Sequence, residues 1–411
     1  MKKIVHVAGM DAYGSHESGN MIDFGLFREM EDYHCTHILG LFKSKPDHDT
    51  VHIPIDEKGS QEGIENYIDA DVVILHDALL QPETIRRVSK KNNNCPILFR
   101  GMDLSHMTGG CPNPNTCERW TDTCGSCPQL GHDNQFVLTG PYPHEKPDPS
   151  LLPLLENDIT RDRLIRKVNS WRDIPIHGVP VSTSSLKAFN RSTLFKDRKN
   201  IVMPIPYDIP VYEKSREDAR KELGIPEQLR DHFFVIWGST NPEQYRKGRS
   251  YADKALNHFY DLLKEKNYDT DKVSLLTVGP NPSKPFNETQ PFNWVRTGYL
   301  STRNFLSMAF KSANVGLQTT ISDAGPMMVT ECLAADTALV SFDNCVAIDM
   351  IDHGKTGFLA PVHDHIALGE SLLKVYESPD MGVNASEGVR RFNNRERTKQ
   401  RWIDFIEEIT A

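Results

Sequence analysis

The 411-residue chain has no apolar run approaching the ~20 residues that a membrane-spanning helix needs. It has no surplus of positive charge either. With 56 acids against 47 bases the net charge is −9, so no global basic field would draw in nucleic acid. The first residues, MKKIVHVAGMD, lack the long apolar stretch of a signal peptide and read as a first strand. The expected compartment is therefore the cytoplasm. No internal repeat or low-complexity tract is evident. The first glycine-containing loop does not spell G-x-G-x-x-G, so the dinucleotide fingerprint is missing.

What is present fits a soluble two-domain chain. Hydrophobic residues make up 38% and charged ones 25%, a globular balance. A chain of 411 residues exceeds one ordinary core. Short Val- and Ile-rich runs alternate with helical spacings, which predicts an α/β fold. Strands are expected at 3–8, 36–41, 72–75, 97–99, 233–237, 273–278, 315–318 and 338–342, with a helix at 21–30 after the first. The stretch 157–171 reads as an amphipathic helix with Arg161, Arg163, Arg166 and Lys167 exposed. The stretch 390–409 reads as one charged helix with Trp402, Phe405 and Ile406 on one side. His76 and Asp77 close the strand at 72–75, and ligands gather at such carboxyl ends. A pair of solvated loop residues is an equal reading.

Three stretches carry chemistry. The first runs from Asp323 through Ala324, Gly325 and Pro326 to Glu331. A small-residue loop entering a helix offers unpaired backbone N–H groups to an anion, and the two acids can accept hydrogen bonds from sugar hydroxyls. A capped buried helix with Asp323 as N-cap is the plainer alternative. The second is Arg246-Lys247-Gly248 between a strand and a helix, a phosphate-binding arrangement or else a solvated basic turn.

The third is a set of four cysteines within 17 residues: Cys111, Cys117, Cys124 and Cys127. A C-x-x-C pair with two further thiols nearby can complete a tetrahedral zinc site, closed and therefore structural. Arg119 is the expected cation beside it. Disulfides, disfavoured in the cytoplasm, free thiols and an iron–sulfur cluster are the alternatives. The remaining cysteines, Cys35, Cys95, Cys332 and Cys345, read as core thiols.

These motifs occur in an order that resembles retaining glycosyltransferases of family 4, which have the GT-B architecture. Asp323, seven residues and Glu331-Cys332-Leu333-Ala334-Ala335 resemble the family's donor-binding signature, with Asp in place of the more usual Glu. Asp349-Met350-Ile351 and Gly354-Lys355-Thr356-Gly357-Phe358-Leu359 follow as in the family. Thr108-Gly109-Gly110-Cys111, Trp120 and Cys127-Pro128-Gln129-Leu130 resemble a cysteine-cluster subset linked to cell-wall and polysaccharide biosynthesis. Thr297-Gly298-Tyr299-Leu300 resembles the loop beside the nucleotide base.

The resemblance implies two Rossmann-like domains facing across a cleft, with a small zinc-stapled insertion at about 103–130. It places an acceptor-side domain at 1–203, a donor-nucleotide domain at 204–385, and a helix crossing back to the first domain at 386–411. Transfer from a UDP- or GDP-type sugar donor would retain configuration and need no catalytic metal. Lys247, with Arg246, would hold the diphosphate. Asp323 and the backbone of Ala324, Gly325 and Pro326 would meet sugar hydroxyls, and Glu331 the ribose. Gly19 would face the diphosphate in the first domain. Asp103 would line the reacting end.

Besides Asp323, the chain departs from the family at Asn20, where a second glycine is usual, and at two points nearer the chemistry. Met102 stands where the family has the His thought to meet the donor sugar, with His106 as a possible substitute. Ser239 stands where an Arg is often found. These departures keep open a degenerate protein that binds nucleotide or glycan without transfer. A transferase acting on modified bases in DNA is a further alternative, with a carbohydrate or lipid-linked acceptor favoured over nucleic acid.

Overall fold

The computed structural model describes residues 1–8, 19–39, 50–52, 62–76, 80–114, 117–128, 158–206, 211–282, 284–378 and 380–411. Most of the first glycine-containing loop, Asp77, Gln129 and Leu130, and the proline-rich stretch 138–155 lie outside them. The chain divides into two compact units, one from Met1–Val137, Pro147–Tyr207 and Asn393–Ala411, the other chiefly from Asp208–Phe392.

The first unit is built on a parallel sheet of six strands: β1 (Lys2–Ala8), β2 (Tyr33–Leu39), β3 (Thr50–His52), β4 (Val72–Leu75), β5 (Ile97–Phe99) and β6 (Ile176–Gly178). Their order is β3-β2-β1-β4-β5-β6. Parallel strands are joined by helices, here α1 (Gly19–Arg28), α2 (Pro82–Lys91), α3 (Thr160–Trp171) and α4 (Thr183–Arg191). Successive side chains leave opposite faces. Val5, Val73, Ile97 and Phe99 pack on one side with Trp171 and Phe189. Ile4, Val72, Ile74 and Leu98 pack on the other with Phe24 and Phe27. Both faces are covered, which is why these strands read as continuous apolar runs rather than alternating ones.

The second unit repeats the plan. Its strands are β7 (Phe233–Gly238), β8 (Val273–Val278), β9 (Asn293–Gly298), β10 (Val315–Gln318), β11 (Ala338–Phe342) and β12 (Gly357–Ala360). They lie parallel in the order β12-β11-β10-β7-β8-β9. Its helices are α5 (Arg216–Glu222), α6 (Arg249–Glu265), α7 (Arg303–Ser312), α8 (Met327–Ala334), α9 (Ala347–Met350), α10 (His365–Tyr376) and α11 (Ser386–Phe392). The strand order reverses between β7 and β10. In open α/β sheets ligands collect at such a switch point, at the carboxyl ends of the strands.

The last helix, α12 (Arg395–Thr410), packs in the first unit. Trp402 is fully buried there, edge-on to Phe27 with centroids 5.1 Å apart. Beneath it lies the buried ion pair of Arg100 and Asp23, at 2.6 Å. Arg100 also donates to the carbonyls of Val179 and Met203.

Three expectations change. The single helix over 390–409 is two, because the Asn394 side chain accepts from the Arg397 N–H at 2.8 Å and so starts α12 afresh. Thr297 and Gly298, expected in the loop beside the base, instead end the half-exposed strand β9 (Asn293–Gly298). Lys167 is buried, 9% exposed, on the inner face of α3 rather than in solvent. No helix among the described residues is long and apolar enough to cross a membrane.

Candidate functional site

At the switch point of the second unit two loops are held edge to edge. The loop after β7 ends in a tight turn, Tyr245–Lys247, and Gly248 begins α6 with φ of +72°. A Cβ at Gly248 would stand 1.8 Å from the Thr319 carbonyl oxygen, so only glycine lets this loop approach the one after β10. The Ile321 N–H donates to the Arg246 carbonyl at 2.8 Å. Thr319 Oγ1 accepts from Trp237 Nε1 at 3.1 Å and donates to the Lys247 carbonyl at 3.3 Å.

This seam brings together three of the residues predicted for the site. Asp323 Oδ2 accepts from Arg246 at 2.6 Å and from Lys247 Nζ at 2.7 Å. Each of the three side chains keeps between 17% and 23% of its surface exposed. Burial alone would raise the Asp323 carboxyl, but Lys247 and Arg246 outweigh it and hold it below the ordinary value of 3.8. Asp323 is thus paired with the cations and is not the helix cap considered from the sequence. The cap position is Pro326, whose ring makes no capping bond to α8. Ala324 is buried, and Glu331 sits half-buried within α8.

The turn after β11 supports the loop from behind, a feature the sequence reading missed. Asn344 donates to the carbonyls of Thr320 and Ile321 at 3.1 and 2.7 Å. Cys345 has φ of +52° and is buried. Its thiol is raised far above the usual range by burial. An Asn followed by a residue in the left-handed region is a turn signature, but nothing in spacing tells which loop it will brace. Ser239 sits on this side of the sheet and accepts from the Asn241 N–H at 3.1 Å.

The candidates of the first unit stand by themselves. Gly19 opens α1. Asp103 accepts from the Ser105 N–H at 2.7 Å, two residues on, just before the short helical turn Ser105–Met107. His106, on that turn, is 2% exposed and packs edge-on to Phe99. Burial, aided by Lys167, pushes its pKa down to about 3. It is a neutral core residue in these surroundings, a poor substitute for a histidine that meets a sugar.

The four cysteines Cys111, Cys117, Cys124 and Cys127 converge on one small cavity of about 20 Å³, lined also by Thr108, Gly109, Pro114, Trp120 and Thr160. Space of that order holds one water-sized body. The Gly109 N–H donates to Cys124 Sγ at 3.3 Å. The Lys167 ammonium, brought to about 8 chiefly by burial, donates to the carbonyls of Ser105 and Thr108 and acts electrostatically on Cys124. Arg119, the expected cation, spends its guanidinium on the carbonyls of Gly125 and Ser126.

The zinc-stapled insertion is not formed here as a coordination group. Among the described residues no three Cys, His, Asp or Glu side chains are arranged to hold a metal ion. Burial raises the Cys124 thiol to about 11 and the Cys111 thiol higher still.

Residues 245–392 match the family described as Glycosyl transferases group 1. That segment contains Arg246, Lys247, Asp323 and Glu331. The whole fold is shared with sucrose-phosphate synthase from Thermosynechococcus elongatus, at 13% identity and a TM-score of 0.62, covering 100% of this chain and 99% of that one. It is shared with HepE from Anabaena in complex with UDP-glucose, at 12% identity and a TM-score of 0.61, covering 99% and 100%. It is shared too with a UDP-forming trehalose-phosphate synthase from Burkholderia xenovorans, at 11% identity and a TM-score of 0.57, covering 100% and 99%. No curated protein matches the sequence. Together, the group 1 segment and a two-unit parallel α/β fold shared with GT-B glycosyltransferases indicate a glycosyltransferase.

Proposed function

We propose that the protein transfers a sugar from a UDP- or GDP-type donor to a hydroxyl acceptor, with retention of configuration and without a catalytic metal. The observation that carries this reading is the convergence of Arg246 and Lys247 on Asp323 at the β7–β10 switch point, beside the first turn of α8. Two cations beside a helix N-terminus suit a leaving diphosphate. Lys247 and Arg246 bind it, while Asp323 and the backbone of Ala324, Gly325 and Pro326 orient sugar hydroxyls. Glu331 takes the ribose. No protein nucleophile is needed, because the leaving phosphate can accept the acceptor proton. That one related structure holds UDP-glucose supports a uridine donor. A carbohydrate or lipid-linked acceptor, met in the cytoplasm, completes the reading, and the cysteine-cluster subset remains the nearest resemblance.

The test is a panel of sugar nucleotides scored for thermal stabilisation and for release of nucleoside diphosphate. Stabilisation and release with one donor are expected. Stabilisation without release across varied acceptors would favour a binding protein, a reading that the burial of His106 keeps in play.

The cysteine cavity fits a structural zinc ion in its donor set and its size, with Lys167 as the nearby positive charge. Cys111, Cys117, Cys124 and Cys127 would hold it, and it would supply a cross-link for a segment too poor in apolar residues to fold around a core. Metal analysis of the purified protein should give one zinc per chain, lost in a Cys124→Ser/Cys127→Ser variant. A metal-free, fully folded protein would remove the assignment.

A further inference from the structure

The carboxylate of Asp323 occupies the two cations that a diphosphate needs. Arg246 and Lys247 meet it at 2.6 and 2.7 Å through the same oxygen, Oδ2. The backbone that carries Asp323 is fixed: Asn344 holds the carbonyls of Thr320 and Ile321, and the Ile321 N–H is held by the Arg246 carbonyl. Only the side chain is left to move. Among the described residues no further acid is hydrogen-bonded to either cation.

We infer that Asp323 determines how strongly the site prefers a sugar nucleotide over the nucleoside diphosphate that transfer leaves behind. Any diphosphate must displace this carboxylate from Arg246 and Lys247. A bare nucleoside diphosphate leaves the displaced carboxylate with nothing to bond. A donor supplies sugar hydroxyls at the same place, and the carboxylate exchanges two cations for two O–H donors. The internal anion thus weakens product more than substrate, and it returns to the cations as product leaves. This inference rests on the proposed donor site.

The test compares the wild type with Asp323→Asn and Asp323→Ala by titration calorimetry at fixed ionic strength. The probes are UDP, GDP, inorganic pyrophosphate and the sugar nucleotide that the donor panel identifies. Both variants should bind the diphosphates about three- to thirtyfold more tightly, the scale of one charge-assisted contact. The donor should gain less, so the preference for donor over free diphosphate falls. Circular dichroism checks that each variant is folded, and two replacements guard against one that is not.

Diphosphate affinity that is unchanged or weaker in folded variants, with the donor still bound, would overturn the inference and leave the glycosyl-transfer reading intact. Tighter pyrophosphate binding by the variants, with no nucleotide bound by any of the three proteins, would uphold the carboxylate competition and sink the donor site.

Discussion

Gly248 is the position where one methyl group does the most harm. Its φ of +72° disfavours any side chain, and the Thr319 carbonyl lies where a Cβ would go. Gly248→Ala should cost about 1–3 kcal/mol and part the two loops. The expected signature is a lower thermal midpoint together with a raised KM for the donor. Lys247→Ala should leave the protein folded, because Arg246 still pairs with Asp323, and lower kcat/KM by roughly 10²-fold, as the loss of a group facing developing negative charge does. Steady-state kinetics beside a melting curve separates the two effects.

Asp323 adds a pH dependence whose sign is fixed by its environment. Its carboxyl is held below 3.8 in the folded chain. The folded state binds the proton less readily than the unfolded one, so the stabilisation is complete above pH 3.8. It is lost as pH falls through the lower folded value. Wild type and Asp323→Asn should differ by about 1–3 kcal/mol in urea unfolding at pH 7 and converge toward pH 2. A difference independent of pH would show that the ion pair contributes no stability.

Elements explain what could and could not be read from the residues. Most strands of both sheets were legible because burial on both faces leaves runs such as Val72–Leu75 and Phe233–Gly238 without polar interruption. The basic turn and the Asp323 loop were legible as separate motifs, yet nothing in either announced that one carboxylate would take both cations. Two loops meet only because the sheet order brings β7 beside β10, and order is set by packing over the whole unit. Lys167 was misread as solvated although Thr160, Leu164, Lys167 and Trp171 follow one helical face; the charge outweighed the periodicity. His106 and Lys167 show the same limit, since a titratable residue near a motif is placed by its surroundings rather than by its type.

The brace behind the loop can be tested at this scale. Asn344→Ala removes two hydrogen bonds to otherwise buried carbonyls and should destabilise by about 1–3 kcal/mol, with weaker donor binding. Donor affinity that survives such a loss would make the turn a purely structural device.

For the molecule as a whole, ligand effects should be local. Donor binding is expected to slow hydrogen exchange in the loops after β7 and β10 and in the first turns of α6 and α8. The amides of β5 and α2 should change little. Protection spread evenly over both sheets would contradict a donor held by the second unit. The two units share one plan, six parallel strands with a single reversal of order, although no sequence repeat betrays it. Fold in such sheets is specified by where apolar runs fall, not by which apolar residues compose them.

The placement of α12 has a consequence for synthesis. The pocket formed by Phe24, Phe27 and Leu98 is filled by Trp402, Phe405 and Ile406. All the residues between Asp208 and Phe392 must leave the ribosome before that filling arrives. At 5–20 residues per second the nascent first unit waits roughly ten to forty seconds with an apolar groove uncovered. The second unit, drawn chiefly from one continuous stretch, can finish folding inside that interval. The unit begun first is therefore completed last, and until then its exposed groove is a natural landing place for a chaperone.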